Sequence, residues 1–143
     1  MASSGLSKSE LKDLVAKLGA LPRFADCSKA DLELLAKSSA VSAVPANWPL
    51  INERTPADAC YVILDGDVEV RVDGKPVAQL TAGAVVGEVG LLNSKLRNAT
   101  VVSTSRVSML HLVPEVFSRL VSSSPAIRVA LQGATVSEAG SQA

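Results

Sequence analysis

The sequence has one histidine and two cysteines, and this scarcity limits the sites that it can build. A metal centre made from several histidines has too few ligands here, because the single imidazole is that of His111. His111 lies in the alternating run RVSMLHLV, which predicts a strand residue with a satisfied hydrogen bond rather than a ligand. Cys27 and Cys60 lie far apart without a CxxC spacing, so we expect two free thiols and no metal or redox site.

The sequence also lacks an excess of either charge and any long apolar run. Its 14 basic and 14 acidic side chains cancel, which argues against a general nucleic-acid binder with a basic patch. No apolar run approaches the ~20 residues of a membrane span, and MASSGLSKSE has no signal-peptide core. We therefore expect a cytoplasmic protein, with no membrane span in this chain and no nucleic acid among its partners.

Helical patterns stand at both ends of the sequence. Ser7 and Glu10 have the spacing of a capping box, and Ser28 can begin a second short helix. Near the C-terminus, Pro114 suits the first turn of a helix, and residues 124–125 form a cap and first-turn pair for another. With 48% hydrophobic residues in 143, the chain is long and apolar enough for one domain with a core.

Short β-type runs separated by turn signals fill the middle of the sequence. In DVEVRV, Val68, Val70 and Val72 alternate with polar residues, and Asp73–Gly74 is typical of a tight hairpin. We predict an α+β fold, an antiparallel β-roll (a jelly roll or double-stranded β-helix) flanked by N-terminal and C-terminal helices. The predicted single domain, 1–143, comprises helices in 7–37, the β-roll in 41–113 with the segment 87–100, and hinge and lid helices in 114–136.

The segment 87–100, called the cassette below, carries the candidate chemistry. Gly87 allows a positive φ and a close approach of a ligand, and the next residues are long enough for one helical turn, whose free N–H groups suit an anion. Arg97, nine residues after Glu88, can hold two phosphate oxygens at once. Glu88 could accept hydrogen bonds from sugar hydroxyls, so the pair describes a ligand with a phosphate and a ribose. A plain salt bridge between Glu88 and Arg97 is the alternative, but Gly87, the turn and the small Ala99 favour a pocket.

The stretch VGEVGLLNSKLRNATV, residues 86–101, resembles the phosphate-binding cassette of cyclic-nucleotide-binding domains. That motif reads roughly F-G-E-[LIV]-[AG]-L-[LIV], a few variable residues, then P-R-x-A-T. Two outer segments are similar to the family as well, PADACYVILDGDVEV and LTAGAVVGE. The resemblance covers roughly residues 24–131, most of the chain.

The resemblance implies roles for individual residues. Glu88 and the Gly87 backbone would bind the ribose 2′-hydroxyl, and Arg97 would bind the cyclic phosphate with backbone N–H groups near Gly90 and Ala99. The full set of expected ligand-binding residues is Gly87, Glu88, Val89, Gly90, Arg97, Asn98 and Ala99. The base would lie against the β-roll under the last helix, with Ile127 or Leu131 as apolar caps, and Leu91 and Leu92 would move with the cassette.

The sequence departs from the family pattern at several positions. Val86 replaces the usual Phe, Leu96 replaces the Pro before the arginine, and Asn47 replaces a turn glycine, which asparagine tolerates. The stretch ERTP, residues 53–56, replaces E-G-D-P, so we expect that turn to differ. Asn98 follows the arginine where Ala, Ser or Thr is frequent, and its amide could pair with a base edge, which leaves the choice between cAMP and cGMP open.

Three functions compete at this point. The first is a regulatory sensor that binds a cyclic nucleotide, cAMP rather than cGMP, and signals by moving its C-terminal helices about a hinge at residues 122–125. The second is a β-roll interaction module that no longer binds nucleotide, and the third is an enzyme. We expect no catalytic residues, since the sequence has no plausible nucleophile–base pair or metal set, and no cofactor beyond the ligand. The output would pass to an unknown partner protein or to an output domain of a longer protein.

Overall fold

The computed structural model describes residues 6–55, 59–87 and 99–132. Two helices and a short 3-10 turn come first: α1 (Lys8–Gly19), the turn Pro22–Phe24 and α2 (Lys29–Ser38). The strands follow as β1 (Ala40–Val44), β2 (Pro49–Ile51), β3 (Cys60–Asp65), β4 (Val68–Val72), β5 (Lys75–Leu80), β6 (Val85–Val86), β7 (Thr100–Ser103) and β8 (Val107–Leu112). Helices α3 (Pro114–Ser123) and α4 (Pro125–Leu131) complete the described part of the chain.

The helix starts lie where the sequence predicts them, because the caps are local. The Ser7 hydroxyl accepts from the Glu10 N–H at 3.0 Å, and the Glu10 carboxylate accepts from the Ser7 N–H at 2.8 Å. An equivalent capping box, with Ser28 and Asp31 as its two members, begins α2. The Ser124 hydroxyl accepts from the Ile127 N–H and begins α4. The predicted continuation of α4 through residues 133–136 lies outside the described residues.

The strands form two four-stranded sheets in which every described pairing is antiparallel. The first sheet has the order β1-β8-β3-β6 and the second the order β2-β7-β4-β5. The predicted hairpin joins β4 to β5, and Asp73 and Gly74 there have φ values of 51° and 80°. Together with the flanking helices, this confirms the predicted α+β antiparallel jelly roll.

The core consists of two clusters on opposite faces of the first sheet. Along β3, Val62 and Leu64 face the helices, whereas Ile63 faces the second sheet, as the period of two requires. The helix-side cluster includes Leu18 and Phe24, and the roll-side cluster fills the space between the two sheets. The roll-side cluster consists of Ile51, Ile63, Val68, Val70, Leu80, Ala84, Val86, Ala99, Val101, Val107 and Met109.

Two further expectations concern single residues. Cys27 and Cys60 are free thiols, as predicted; burial, with the nearby carboxylates of Asp31 and Asp26, raises the pKa of the Cys27 thiol. His111 lies half-buried in β8, as its alternating run predicts, and its ring lies 5.3 Å from the ring of Tyr61. The single-domain organisation over 1–143 stays a prediction, because the two ends of the chain lie outside the described residues.

Candidate functional site

The structure describes the two ends of the cassette, and the cassette residues between them lie outside the described residues. Gly87 and Ala99 are described; Glu88, Val89, Gly90, Arg97 and Asn98 are not. The ligand roles expected for these residues therefore stay predictions. The described residues show how the two ends of the cassette and the strands around it are held in place.

Gly87 follows the short strand β6 in a backbone conformation that favours glycine. Its φ is 92° and it is buried, so a side chain here would be strained. The preceding Val86 pairs with Tyr61 of β3, which ties β6 to the first sheet. The chain therefore leaves the first sheet at a glycine with positive φ, the position for which a close approach of the backbone to a ligand is predicted.

Ala99 and Thr100 receive the chain on the other side of the cassette. Ala99 is 0% exposed and packs in the roll-side cluster, and Thr100 begins β7 of the second sheet. Since β6 belongs to the first sheet and β7 to the second, the cassette crosses from one sheet to the other. The strand before the cassette and the strand after it are hydrogen-bonded in separate sheets, so the roll sets the distance between the two ends of the cassette.

A half-buried carboxylate, that of Glu53, anchors the distal end of the cassette. The Thr100 hydroxyl accepts from the Glu53 N–H at 3.1 Å and donates to the Glu53 Oε1 at 3.4 Å. The same carboxylate accepts from the Asp73 N–H at 3.1 Å and 3.2 Å, and the Glu53 side chain is 13% exposed. Glu53 thus joins the cassette end to the β4–β5 hairpin.

Within the turn that begins at Glu53, Arg54 keeps a left-handed backbone despite its side chain. Arg54 stands where the resembling pattern has glycine, and its φ is 64°. Its Nη2 lies 2.8 Å from the Asp73 Oδ1, in an exposed ion pair. Asn47 also has a φ of 64°, as expected of an asparagine at a glycine position. The expectation that the turn differs stays a prediction, since Pro56 lies outside the described residues; at Arg54 the backbone has the positive φ that favours glycine.

An apolar floor extends from the cassette ends along the second sheet. Val70 of β4 pairs with Ala78 of β5, and Ala78 and Val72 are partly exposed at the rim of the roll-side cluster. Val86 is fully buried in that cluster, so the smaller side chain at this position is accommodated by packing. A flat aromatic ring could lie on this floor with little loss of polar hydration.

Comparison with known proteins identifies the arrangement. A family model described as the cyclic nucleotide-binding domain matches residues 41–124, more than half of the chain. The chain belongs to the cyclic nucleotide-binding domain family. The match includes the described β-roll except its first residue, Ala40, together with both cassette ends and α3.

Three relatives place this cyclic nucleotide-binding domain among different proteins. It is 33% identical over 110 residues to a cyclic nucleotide-gated potassium channel of Mesorhizobium japonicum, a match that covers 77% of this chain and 30% of the channel. It superposes on a cAMP-binding acyltransferase from Mycobacterium smegmatis with a TM-score of 0.68 and 27% identity, covering 85% of this chain and 39% of that one. The regulatory subunit of a cAMP-independent protein kinase A from Trypanosoma brucei has the same fold, with a TM-score of 0.76, 22% identity and coverages of 87% and 45%.

The cyclic nucleotide-binding domain spans only a part of each relative. It covers between 19% and 31% of the first curated relatives that it matches. Among residues 6–55, 59–87 and 99–132, no helix is long and apolar enough to cross a membrane, and no three His, Cys, Asp or Glu side chains are grouped to hold a metal ion. The cytoplasmic location and the output stay predictions.

The last helix bears on the expected contacts with the base. Ile127 and Leu131 are 0% exposed and belong to the helix-side cluster, so neither has surface available to a base in this conformation. Val129, on the opposite face of α4, is 70% exposed. It borders a groove of about 510 Å³ that is also lined by Pro22, Leu80 and Ala82. The amphipathic pattern predicts the helix correctly, and the expectation that Ile127 or Leu131 caps the base stays a prediction, which requires α4 to move from this position.

Sequence analysis also missed two polar side chains that hold the site together. Glu53 could have been noticed because it belongs to the E-G-D-P-like turn, but its contact with Thr100 joins residues 47 positions apart. Arg23 donates hydrogen bonds to the backbone carbonyls of Gly83 and Ala130, 60 and 107 positions away. No local pattern in the sequence indicates either contact.

Proposed function

We propose that this chain is a regulatory sensor that reversibly binds a cyclic nucleotide in the cassette and signals through its C-terminal helices. The observation that carries the proposal is the pair of cassette ends: Gly87 at positive φ on one sheet and the buried Ala99 on the other. They fix the start and the finish of a segment whose sequence contains Glu88 and Arg97. Family membership supports the same class of ligand.

The proposed ligand contacts follow from the chemistry of the two charged residues. Arg97 binds the cyclic phosphate through its planar guanidinium, and backbone N–H groups near Gly90 and Ala99 add to the anion site. Glu88 and the Gly87 backbone bind the ribose 2′-hydroxyl. The base rests on the apolar floor that includes Val72 and Ala78.

The proposed signal is a change in the position of α3 and α4. Phosphate binding draws the cassette inward, Leu91 and Leu92 move with it, and α3 repacks. A ligand can drive this only through its higher affinity for the moved state. Withdrawing the fully buried Ile127 and Leu131 would cost about 1.5–3 kcal/mol each, so we propose that the exposed Val129 contacts the base instead.

We propose cAMP as the ligand in preference to cGMP. A relative named as cAMP-binding supports this choice, whereas Asn98, whose amide could pair with guanine, makes the preference a weak one. The ion-channel relative is named only as cyclic nucleotide-gated. No catalytic step is part of the proposal, and the partner that receives the signal is left as a protein or domain of unknown identity.

The second candidate is a β-roll interaction module that no longer binds nucleotide. It is favoured by the fold that this chain shares with a regulatory subunit of a cAMP-independent kinase. The presence of both Glu88 and Arg97 argues against it. These two readings predict opposite results in a binding experiment.

Thermal unfolding with added ligands tests the proposal. A ligand that binds only the folded state stabilises it by about 2.7 kcal/mol at a hundredfold excess over Kd, which for a domain of this size raises the midpoint by about 8–11 °C. We expect this shift with cAMP, a smaller one with cGMP and none with AMP or ATP. The protein must first be freed of nucleotide carried through purification, for example by refolding.

Arg97→Ala is the decisive variant, and Arg119→Ala is its control. Arg119 is exposed on α3, so the control removes the same charge away from the cassette. We expect Arg97→Ala to abolish the cAMP shift and to leave the midpoint without ligand nearly unchanged, while Arg119→Ala keeps the shift. Absence of any shift with both cyclic nucleotides in the ligand-free wild type would favour the interaction module.

A further inference from the structure

Arg23 joins three parts of the chain through one half-buried guanidinium. It lies in the 3-10 turn between α1 and α2, and its Nε donates to the Gly83 carbonyl at 3.1 Å. Its Nη1 donates to the Ala130 carbonyl at 3.2 Å. The N-terminal helices, the loop before β6 and the end of α4 therefore meet at this side chain.

The Ala130 carbonyl is a favourable acceptor for a cation. It belongs to the last turn of α4, where carbonyls lack partners within the described helix and carry the negative end of the helix dipole. A guanidinium placed there satisfies one carbonyl and compensates the dipole. Arg23 thus caps the described end of α4, of which seven residues are described.

The Gly83 carbonyl is held in a rigid place close to the cassette. The Ala84 N–H donates to the Thr81 carbonyl at 3.1 Å, which closes a turn around Gly83. The Gly83 N–H donates to the Ile63 carbonyl at 2.8 Å, and the Ile63 N–H donates to the Ala84 carbonyl at 2.9 Å. Gly83 precedes Gly87 by four residues, so this loop leads directly through β6 into the cassette.

We propose that Arg23 is a latch between α4 and the loop that leads into the cassette, and that this latch opposes the helix movement that accompanies nucleotide binding. Both bonds are made while Ile127 and Leu131 are buried in the helix-side cluster, so they belong to the arrangement in which α4 is packed against the N-terminal helices. Any displacement of α4 from the roll must break at least one of them. The second half of this proposal rests on the proposed function.

The latch has a predictable effect on affinity. If the binding-competent arrangement needs α4 to move, the apparent Kd equals the intrinsic Kd divided by the fraction of molecules in that arrangement. Loss of the latch raises this fraction. We expect Arg23→Met, which keeps an apolar stem and removes both donors, to bind cAMP about three- to tenfold more tightly.

Hydrogen exchange without ligand tests the latch independently of nucleotide binding. The readout is the protection of the Arg128 and Gln132 amides, which donate to the Ser124 and Arg128 carbonyls of α4. In Arg23→Met we expect these amides to exchange at least tenfold faster, with the paired amides of β3 and β8 unchanged. Arg119→Met is the matched control and should leave α4 protection as in the wild type. Equal acceleration throughout the protein, or unchanged α4 protection, would overturn the latch.

Titration calorimetry with cAMP tests the link to the site. Tighter binding by Arg23→Met, together with faster exchange in α4, supports the full proposal. Unchanged or weaker binding with a loosened α4 would overturn the claim that the latch opposes binding. If neither the wild type nor the variant binds any cyclic nucleotide, the proposed function fails, and the exchange result alone decides whether the latch exists.

Arg23→Lys should give intermediate protection of the α4 amides from hydrogen exchange, because one ammonium group cannot reproduce the forked geometry of a guanidinium.

Discussion

Glu53 and Thr100 are hydrogen-bonded in both directions across 47 positions of the chain. The Thr100 hydroxyl accepts from the Glu53 N–H and donates to the Glu53 carboxylate, and that carboxylate also accepts from the Asp73 N–H. Two segments that resemble separate motifs of the family, ERTP and RNAT, therefore meet at one contact. The contact fixes the position of Thr100, three residues after Arg97 in the chain.

Thr100→Val should loosen this end of the cassette, since the isosteric side chain cannot serve either Glu53 group. Leaving a partly buried N–H unpaired costs about 1–2 kcal/mol, so the unfolding midpoint should fall by about 3–8 °C. We also expect weaker cAMP binding by calorimetry, because the site of Arg97 is less well fixed. Thr100→Ser keeps the hydroxyl and should behave nearly as the wild type. Equal losses in the two variants would show that the hydroxyl is not what matters.

Glu88→Ala should remove the selectivity for the ribose 2′-hydroxyl. We expect the wild type to bind cAMP about ten- to a hundredfold more tightly than 2′-deoxy-cAMP, since a hydrogen bond to a charged group contributes about 1.5–3 kcal/mol. In Glu88→Ala the two ligands should bind alike. Competition binding of cAMP and 2′-deoxy-cAMP to the wild type and to Glu88→Ala measures the coupling between Glu88 and the 2′-hydroxyl directly. A wild type that does not distinguish the ligands would disprove the ribose role of Glu88.

The sequence predicts those parts of the fold that depend on local pattern. The capping pairs at Ser7 and Ser28, the period of two in β4 and the Asp73–Gly74 hairpin all act over a few residues, and each lies where the sequence places it. Arg54 is a partial exception. An arginine side chain does not indicate a positive φ. Arg54 nevertheless has one, because the surrounding turn holds its backbone.

The parts that escape prediction depend on contacts between distant segments. The period of α4 puts Ile127 and Leu131 on one face and Val129 on another, but it cannot tell which face meets the N-terminal helices. The same holds for Arg23, whose acceptors are backbone carbonyls and therefore leave no trace in residue type. Only the assembled fold decides these partners.

Gly66→Ala should destabilise the roll much more than Gly74→Ala. Both glycines have positive φ, 96° and 80°, but a Cβ at Gly66 would overlap the Arg106 carbonyl, whereas nothing lies near Gly74. We expect about 1 kcal/mol for the backbone strain at Gly74 and about 2–4 kcal/mol at Gly66, where overlap adds to strain. Urea unfolding of the two variants measures the difference. Equal free energies of unfolding would contradict the close approach at Gly66.

Asp31→Asn should flatten the acid side of the stability curve. The backbone hydrogen bond from Ser28, and smaller contributions from the Ser124 and Ser28 hydroxyls, hold the pKa of Asp31 below its ordinary 3.8. A depressed folded pKa adds stability above pH 3.8, and this is lost as the pH falls through the folded value. The effect is small because the carboxylate is largely hydrated. Midpoints between pH 5 and about pH 2.5 should fall less steeply in Asp31→Asn than in the wild type, and parallel curves would refute the assignment.

Val129→Ser should weaken cAMP binding without changing the stability of the unliganded protein. Val129 is 70% exposed on α4, so its replacement removes little buried surface. If it covers the base after α4 moves, the loss of one apolar contact should reduce affinity about three- to tenfold. Val77→Ser, at a side chain 46% exposed on β5, is the control and should bind cAMP as the wild type does.

Ile127→Ala should affect stability instead, lowering the free energy of unfolding by about 2–4 kcal/mol because Ile127 is fully buried. Calorimetry and urea unfolding of the three variants separate the two faces of the helix. Wild-type affinity in Val129→Ser would mean that α4 does not present this face to the nucleotide.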